Sequence, residues 1–445
     1  MSREACVERI IASVRDVFED LYAKSREWPE GHWLYAGEQE VRRCALAIGC
    51  EMLQVLLDHR GPGHKGHRIE KPDGGTCEFK QYRRRTVRTL LGEVTVRRAV
   101  YQGANGSVAP LDDELGLRSR YSEGVEEALA FTAGQLTYEE TVGVLEKTLG
   151  IPISVTKVQE TATAWGEAAA AERSERLPDS GHGGRVAVGV DGAMVRTATR
   201  RRKRKDSREQ DFQEVWREAK LGVAYGFDAH GQSRREKHYV GTLEGKDEFA
   251  RTLWQLIEAD GVDKAPTVVW LGDGAPWVWS LKDELLPDAE AVLDFHHARE
   301  HLEAVSRAVW PAAPARAKRW VHKQAQRLLQ GKEALVRREL RRLSKQWGPP
   351  PDDASGDDPR KVLATNVGYF ENNAHRMRYE TYRRAGYPIS SGVIESGCGH
   401  VVAQRMKITS RMSWNERRAE AILQLRCLIR SGQWDAFWPC CSYAA

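Results

Sequence analysis

VAVGVDGA (residues 186–193) and TVVWLGDGA (residues 267–275) are the two stretches on which the fold turns. In each, a short apolar run rich in valine meets an aspartate, a glycine and an alanine, which reads as a buried strand closed by a turn. The aspartates are Asp191 and Asp273. Side chains at the carboxyl edge of a sheet converge, and small residues beside them let a ligand's backbone approach. Strands are predicted at 221–227 and 238–243 as hairpin partners of the first, and a last one at 291–293 ends at Asp294. Between them, Phe249, Leu253, Leu256 and Ile257 mark one helix face, while Leu302, Val305 and Val309 mark another. Strands alternating with amphipathic helices predict an α/β domain.

Its first part spans 181–300. Residues 301–384 carry no strand signal, are helical and basic, and are interrupted by GPPPDDASGDD, the mark of an all-helical insertion. The domain resumes over 385–445 with SSGVIESGCGHVVAQRMK and WNERRAEAILQLRCLIRSG, read as two helices. Upstream, 1–60 is helical and 61–118 holds a small antiparallel sheet around TVRTLLGEVTVRRAVYQG. Residues 119–170 break into three short helices, the second opening on a capping box of Thr137 and Glu140. Three short helices with tight turns predict a helix-turn-helix unit whose third helix presents Thr156, Lys157 and Gln159 to DNA; a plain three-helix packing unit is the alternative.

The chain has 445 residues, enough for several domains, and its 68 basic residues exceed its 63 acidic ones by only 5. Charge clusters therefore carry more information than net charge. No apolar run approaches a membrane span and no signal peptide is legible, so a cytoplasmic, nucleoid-associated protein is expected. The 8 cysteines are scattered, which argues against a disulfide framework. Cys77 with His64 and His67 supplies three candidate zinc ligands and no evident fourth, so zinc is not expected.

Asp191 and Asp273 share one setting, and Glu395 in GVIESGCGH stands on a helix start so rich in glycine that stability alone does not explain it. Small residues here would let a phosphate backbone come close, and an idle glutamate near a helix N-terminus is the bland alternative. Three carboxylates suit two magnesium ions, as phosphodiester chemistry on DNA requires. A three-strand meander carrying the first aspartate, a later strand the second and a distant helix the third acid predicts an RNase H-like sheet. The basic run Arg200, Arg201, Arg202, Lys203, Arg204 and Lys205 would neutralise phosphates, as would Arg405, Lys407 and Arg411 beyond Glu395. A further basic stretch lies at 316–342. Trp277 and Trp279 suit core packing better than base stacking.

VGVDGAMV, VVWLGDGAPW, VLDFHHAREHL, GYPISSGVIESGCGHVVAQRMK and SGQWDAFW, in that order, resemble bacterial insertion-sequence DDE transposases of the Kra type, relatives of the Mutator-like enzymes. The resemblance implies an RNase H-like catalytic domain with a helical insertion, dependence on two Mg²⁺ or Mn²⁺ ions, and recognition of terminal inverted repeats and target DNA by a homo-oligomer, at least a dimer. It places the catalytic, metal-binding acids at Asp191, Asp273 and Glu395, and a supporting Asp-x-x-His element at Asp294 and His297. Relatives often carry a zinc ribbon in the N-terminal sheet; here Cys77 is unpaired, leaving a degenerate, ribbon-like sheet.

The expected activity is cutting of DNA strands and transfer of the freed 3′-hydroxyl. Two alternatives stand beside it: an RNase H-like nuclease that cuts without joining, and an inactive or domesticated relative that only binds DNA. A metabolic enzyme is disfavoured, because GPGHKG at 61–66 matches a dinucleotide-binding pattern but follows a helix.

Overall fold

A computed structural model describes residues 2–71, 75–104, 106–172, 184–200, 212–408 and 412–443. The chain forms two compact units: Met1–Ala133, Thr137–Thr161 and Trp438–Ala445 make one, and Gly134–Leu136 with Ala162–Phe437 make the other.

The first unit opens with a helical hairpin, α1 (Arg3–Ser25) and α2 (Trp33–Arg60). Four antiparallel strands follow: β1 (Arg68–Glu70), β2 (Thr76–Thr89), β3 (Gly92–Gly103) and β4 (Gly106–Val108), in the order β1-β2-β3-β4. The inward residues of its central strands alternate, so Val87, Val94 and Val96 pack with Leu111 and with Leu53 and Leu57 of α2. Cys77 is buried beside Ala99 and Tyr101 as a small hydrophobe. GPGHKG connects α2 to β1, which is not the strand-to-helix setting of a dinucleotide loop. After α3 (Pro110–Glu114) come α4 (Glu123–Gln135), α5 (Tyr138–Leu149) and α6 (Val155–Ala171). Both bonds of the Thr137–Glu140 capping box form, and Gly150 ends α5 in the left-handed conformation.

The second unit is a mixed α/β structure around β5 (Arg185–Arg200), β6 (Phe212–Phe227), β7 (Ser233–Thr242), β8 (Thr267–Gly272) and β9 (Glu290–Leu293). Their order is β7-β6-β5-β8-β9. The first three form an antiparallel meander, and β8 and β9 add in parallel to the other edge of β5. The helix α7 (Lys246–Ala259) joins β7 to β8, and α8 (Pro276–Leu285) joins β8 to β9.

Strand β5 does not stop at Asp191, as the Asp-Gly pair suggests, but runs on to Arg200. The alternation continues past the pair: Val195 and Thr197 are buried while Met194 is exposed, and β6 pairs throughout. Beyond the reach of β8, the segment around Trp414 takes up the free edge of β5, with the Trp414 N–H donating to Arg196 O and the Ala198 N–H to Trp414 O.

The region expected to be helical from 301 to 384 holds helices, the first of which begins earlier: α9 (Phe295–Val309), α10 (Pro314–Leu329), α11 (Glu333–Trp347), α12 (Pro359–Asn372) and α13 (Tyr379–Arg384). The closing part departs from two simple helices. SSGVIESGCGHVVAQRMK divides into α14 (Gly392–Gly397), a π-helical turn (Cys398–Ala403) and α15 (Gln404–Met406), ahead of α16 (Glu416–Arg430) and α17 (Trp434–Tyr443). Among the described residues no helix is long and apolar enough to cross a membrane.

The two sheet faces are covered by different helices. A Cβ on Gly222 would stand 2.8 Å from Leu253 of α7, which covers one face. On the other, a Cβ on Gly397 would stand 2.8 Å from Tyr239 and 3.2 Å from Leu221, so α14 lies close against the strands. The glycine in this acid-bearing helix thus serves close helix-on-sheet packing.

Candidate active site at the carboxyl edge of the sheet

Register brings Asp191 and Asp273 level. Gly189 of β5 pairs with Leu271 of β8 in parallel, and each aspartate lies two residues further on: Asp191 within β5 on the face of Gly189, and Asp273 one residue past the end of β8, close enough for its charge to act on Asp191. The face of Gly189 is the one under α14, because a Cβ on Gly189 would meet Ile394 at 3.1 Å. Glu395 is the next residue along.

Asp191 is partly buried, and its Oδ1 accepts from the Gly192 N–H at 2.7 Å. The Cys398 thiol sits 3.5 Å from Oδ2 and donates to it. Burial raises the pKa of Asp191, the charge of Asp273 adds to that, and the Gly192 and Cys398 donors oppose it. Burial and the charge of Asp191 push the Cys398 thiol up as well. Cys398 therefore stays a neutral donor, not a thiolate.

Asp273 sits in a braced turn. Its Oδ1 accepts from the Ala275 N–H at 2.9 Å, and its main-chain carbonyl accepts from the Tyr369 hydroxyl at 2.8 Å. Gly274 has φ +103°, and a Cβ there would lie 2.6 Å from the Tyr369 ring, so no other residue suits the turn. Tyr369 stacks on His301, with ring centroids 3.6 Å apart. Asn366 donates its amide to Val362 O, which leaves its oxygen to accept from His301 Nδ1 at 2.7 Å. This makes His301 the Nδ1–H tautomer, and burial lowers its pKa. Tyr369, Asn366, His301 and Cys398 are thus site residues that sequence reasoning did not assign. His301 and Cys398 stood in quoted motifs; Tyr369 and Asn366 carry no local signal, since each acts through a partner far away in the chain.

Glu395 is exposed on α14, with its N–H donating to Ser391 O at 2.9 Å. It lies one turn before Cys398, whose thiol feels its charge. Among the described residues no group of three or more histidine, cysteine, aspartate or glutamate side chains is placed to hold a metal ion.

Asp294 is fully buried and structural in its contacts. Its Oδ1 caps α9 by accepting from the His296 and His297 N–H groups, and its Oδ2 accepts from the Ser391 N–H. It ties the start of α9 to the segment that leads into α14, so its support of the site is positional. His297 is half-buried, with Nδ1 3.8 Å from Asp294.

The basic candidates have different fates. Arg405, expected to meet phosphates, is fully buried, with its guanidinium 4.8 Å over the Trp414 ring. That corrects its assignment: the cation packs inside the fold. Lys407 is exposed. Arg200 ends β5 on the sheet's long hairpin arm, while Arg201, Arg202, Lys203, Arg204, Lys205 and Arg411 lie outside the described residues. On α6, Thr156 is exposed and Gln159 half-buried, while Lys157 reaches Glu126 at 3.3 Å and lies over Tyr121. Trp279 is buried under Arg376, and Trp277 packs edge-on against Phe249, so both tryptophans are packing residues.

No protein-family model matches the chain, and no curated protein matches it either.

Proposed function

We propose that this protein is a DDE-type transposase that cuts DNA strands and joins the freed 3′-hydroxyl to target DNA, using Asp191, Asp273 and Glu395. The observation that carries the reading is the parallel pairing of Gly189 with Leu271, which puts Asp191 within β5 and Asp273 just past the end of β8, each two residues beyond one shared level. The sheet order, with a meander carrying the first acid and the neighbouring parallel strand the second, supports an RNase H-like domain. The helical run that separates β9 from α14 supports the expected insertion.

The residues fit a hard divalent cation such as Mg²⁺ or Mn²⁺. Two carboxylates share one level, one of them desolvated enough for its pKa to rise, and the nearby sulfur is a neutral thiol, a poor ligand. Asp191 and Asp273 would hold the ions, and Glu395 would complete the set. Bound there, the ions supply Lewis-acid stabilisation of the attacking and leaving oxygens of the phosphodiester. The chain's own residues set up the rest. Cys398 and Gly192 orient Asp191 by donating to its two oxygens, and Tyr369 holds the Asp273 turn by its carbonyl. Exposed Lys407 and the basic run from Arg200 to Lys205 would meet phosphates without reading bases. DNA carrying terminal inverted repeats is the proposed substrate, and the cytoplasm its place.

The test is strand cleavage and transfer on DNA carrying the flanking terminal repeats with Mg²⁺, for the wild type beside Asp191→Asn, Asp273→Asn and Glu395→Gln. Cutting and joining by the wild type alone, with DNA binding kept by all, is the expected result. Cutting without joining would assign a nuclease, and binding without cutting a DNA-binding relative. Cutting by the variants would overturn the site.

A further inference from the structure

None of the residues of α1 is buried, although apolar side chains recur along it at helical spacing. Two adjacent stripes account for this. Cys6, Ile10, Val17 and Leu21 are half-buried, while Val7, Ile11, Val14, Phe18 and Tyr22, mostly one residue further on, are 40 to 62% exposed. Arg9 of α1 bonds Glu51 and Asp58 of α2, so the start of α1 lies beside the end of α2 and the helices are antiparallel. On α2 the same offset recurs: Met52 follows Glu51, and Leu34, Val41 and Leu56 fall on its stripe, with exposures of 47 to 72%.

One residue further along a helix is a rotation of about 100°. In antiparallel helices, the same rotation away from the shared contact falls on the same side of the pair. The two exposed stripes therefore form one apolar face. Nine side chains at these exposures present roughly 1,000 Å², about one partner's share of a standard dimer interface and well above an ordinary surface patch.

We propose that this face of the α1–α2 hairpin is a dimer interface, covered by the same hairpin of a second copy to make a four-helix bundle. Three observations select this occupant. The 4-3-4 spacing of Val7, Ile11, Val14 and Phe18 is that of helices packing on helices. The area matches a protein partner. The charges exclude a polyanion or anionic membrane, since acidic residues outnumber basic ones five to four on α1 and four to three on α2. An identical hairpin brings its own apolar face and balanced rim, and an isologous pairing closes on itself.

This goes beyond the carboxylate chemistry and is read independently of it. Light scattering on the full-length wild type at micromolar concentration should return twice the 50.2 kDa chain mass. The double variant Ile11→Glu, Phe18→Glu should return the single mass, with dimer affinity lowered at least ~100-fold. Phe18→Leu should remain dimeric. Circular dichroism of all three separates lost pairing from lost folding. A wild type of single mass throughout overturns the proposal, as does a folded double variant that stays dimeric. A monomeric wild type that co-sediments with anionic vesicles would assign the face to lipid and overturn it too. Strand cleavage measured in parallel keeps these outcomes distinct from failure of the transposase reading.

Discussion

The carboxyl edge of the five-stranded sheet and the N-terminal hairpin depart from ordinary folding in opposite ways. At the sheet edge, polar groups are withdrawn from water: Asp294 is fully buried, and Asp191 is desolvated beside a second carboxylate. On the hairpin, apolar groups are left in water, with Phe18 62% exposed and Leu34 72%. Neither arrangement is what an isolated chain would settle on for stability, because desolvated charge and solvated hydrocarbon both cost free energy. In our reading each is completed by something the single chain lacks, a divalent cation at the edge and a second copy at the hairpin.

The largest effect should come from the edge. Asp191→Asn and Asp273→Asn should each lower Mg²⁺-dependent strand cleavage at least ~1,000-fold. Their melting temperatures should stay level or rise, since each change removes one of two facing carboxylates. A variant that loses activity together with several degrees of stability would break the contrast, by showing that the aspartates hold the fold.

Arg426 tests the opposite kind of buried charge, one the fold itself satisfies. It is 1% exposed and donates to the main-chain carbonyls of Val401, Gly134 and His400. Arg426→Met should cost about 2–4 kcal/mol in denaturant unfolding, because it leaves buried carbonyls unpaired. No loss would mean that the carbonyls find water. Gly397→Ala should cost about 1–3 kcal/mol by forcing α14 off Tyr239, with cleavage falling alongside as Glu395 shifts.

Tyr369→Phe is a smaller change at the edge. It removes one hydroxyl from the Asp273 carbonyl, so stability should fall by about 1 kcal/mol. Cleavage should fall roughly 10-fold, as happens when an outer partner of a ligand is lost. Unchanged cleavage would show that stacking on His301 alone holds the turn.

The smallest effect concerns an exposed cap. Asp358 caps α12, and its bonds to the Arg360 side chain and N–H hold its pKa at about 2, below the usual 3.8. A carboxylate depressed in the folded state stabilises above its unfolded pKa and loses that contribution as pH falls from about 4 to about 2. Asp358→Ala should therefore lower the melting temperature by about 1–2 °C at neutral pH, and the difference should vanish near pH 2. A difference that persists there would assign the effect to packing.

Much of this was legible locally. Valine-rich apolar runs announced β5 and β8, and Thr137 with Glu140 announced the start of α5, because a buried strand's apolar run and a helix's cap are written within a few residues. The length of β5 was not, since Asp191-Gly192 looks like a stop and only pairing with β6 carries the strand through it. Arg405 looked like a phosphate contact, because nothing near it in the chain signals the Trp414 ring that covers it. Asp294 and His297 looked like one element, yet Asp294 spends its oxygens on three N–H groups, one of them from Ser391.

By itself the sequence determined the strands, the helices and the kinds of residue at the sheet edge, because periodicity and turn chemistry act over a few residues. Tertiary structure alone decided that Asp191 and Asp273 stand level, that Tyr369 and His301 brace one of them, that Cys398 donates to the other, and that one apolar stripe of α1 is covered while its neighbour is not. Those outcomes depend on register and on contacts between residues far apart in the chain, and no local pattern encodes which distant surface a side chain will meet.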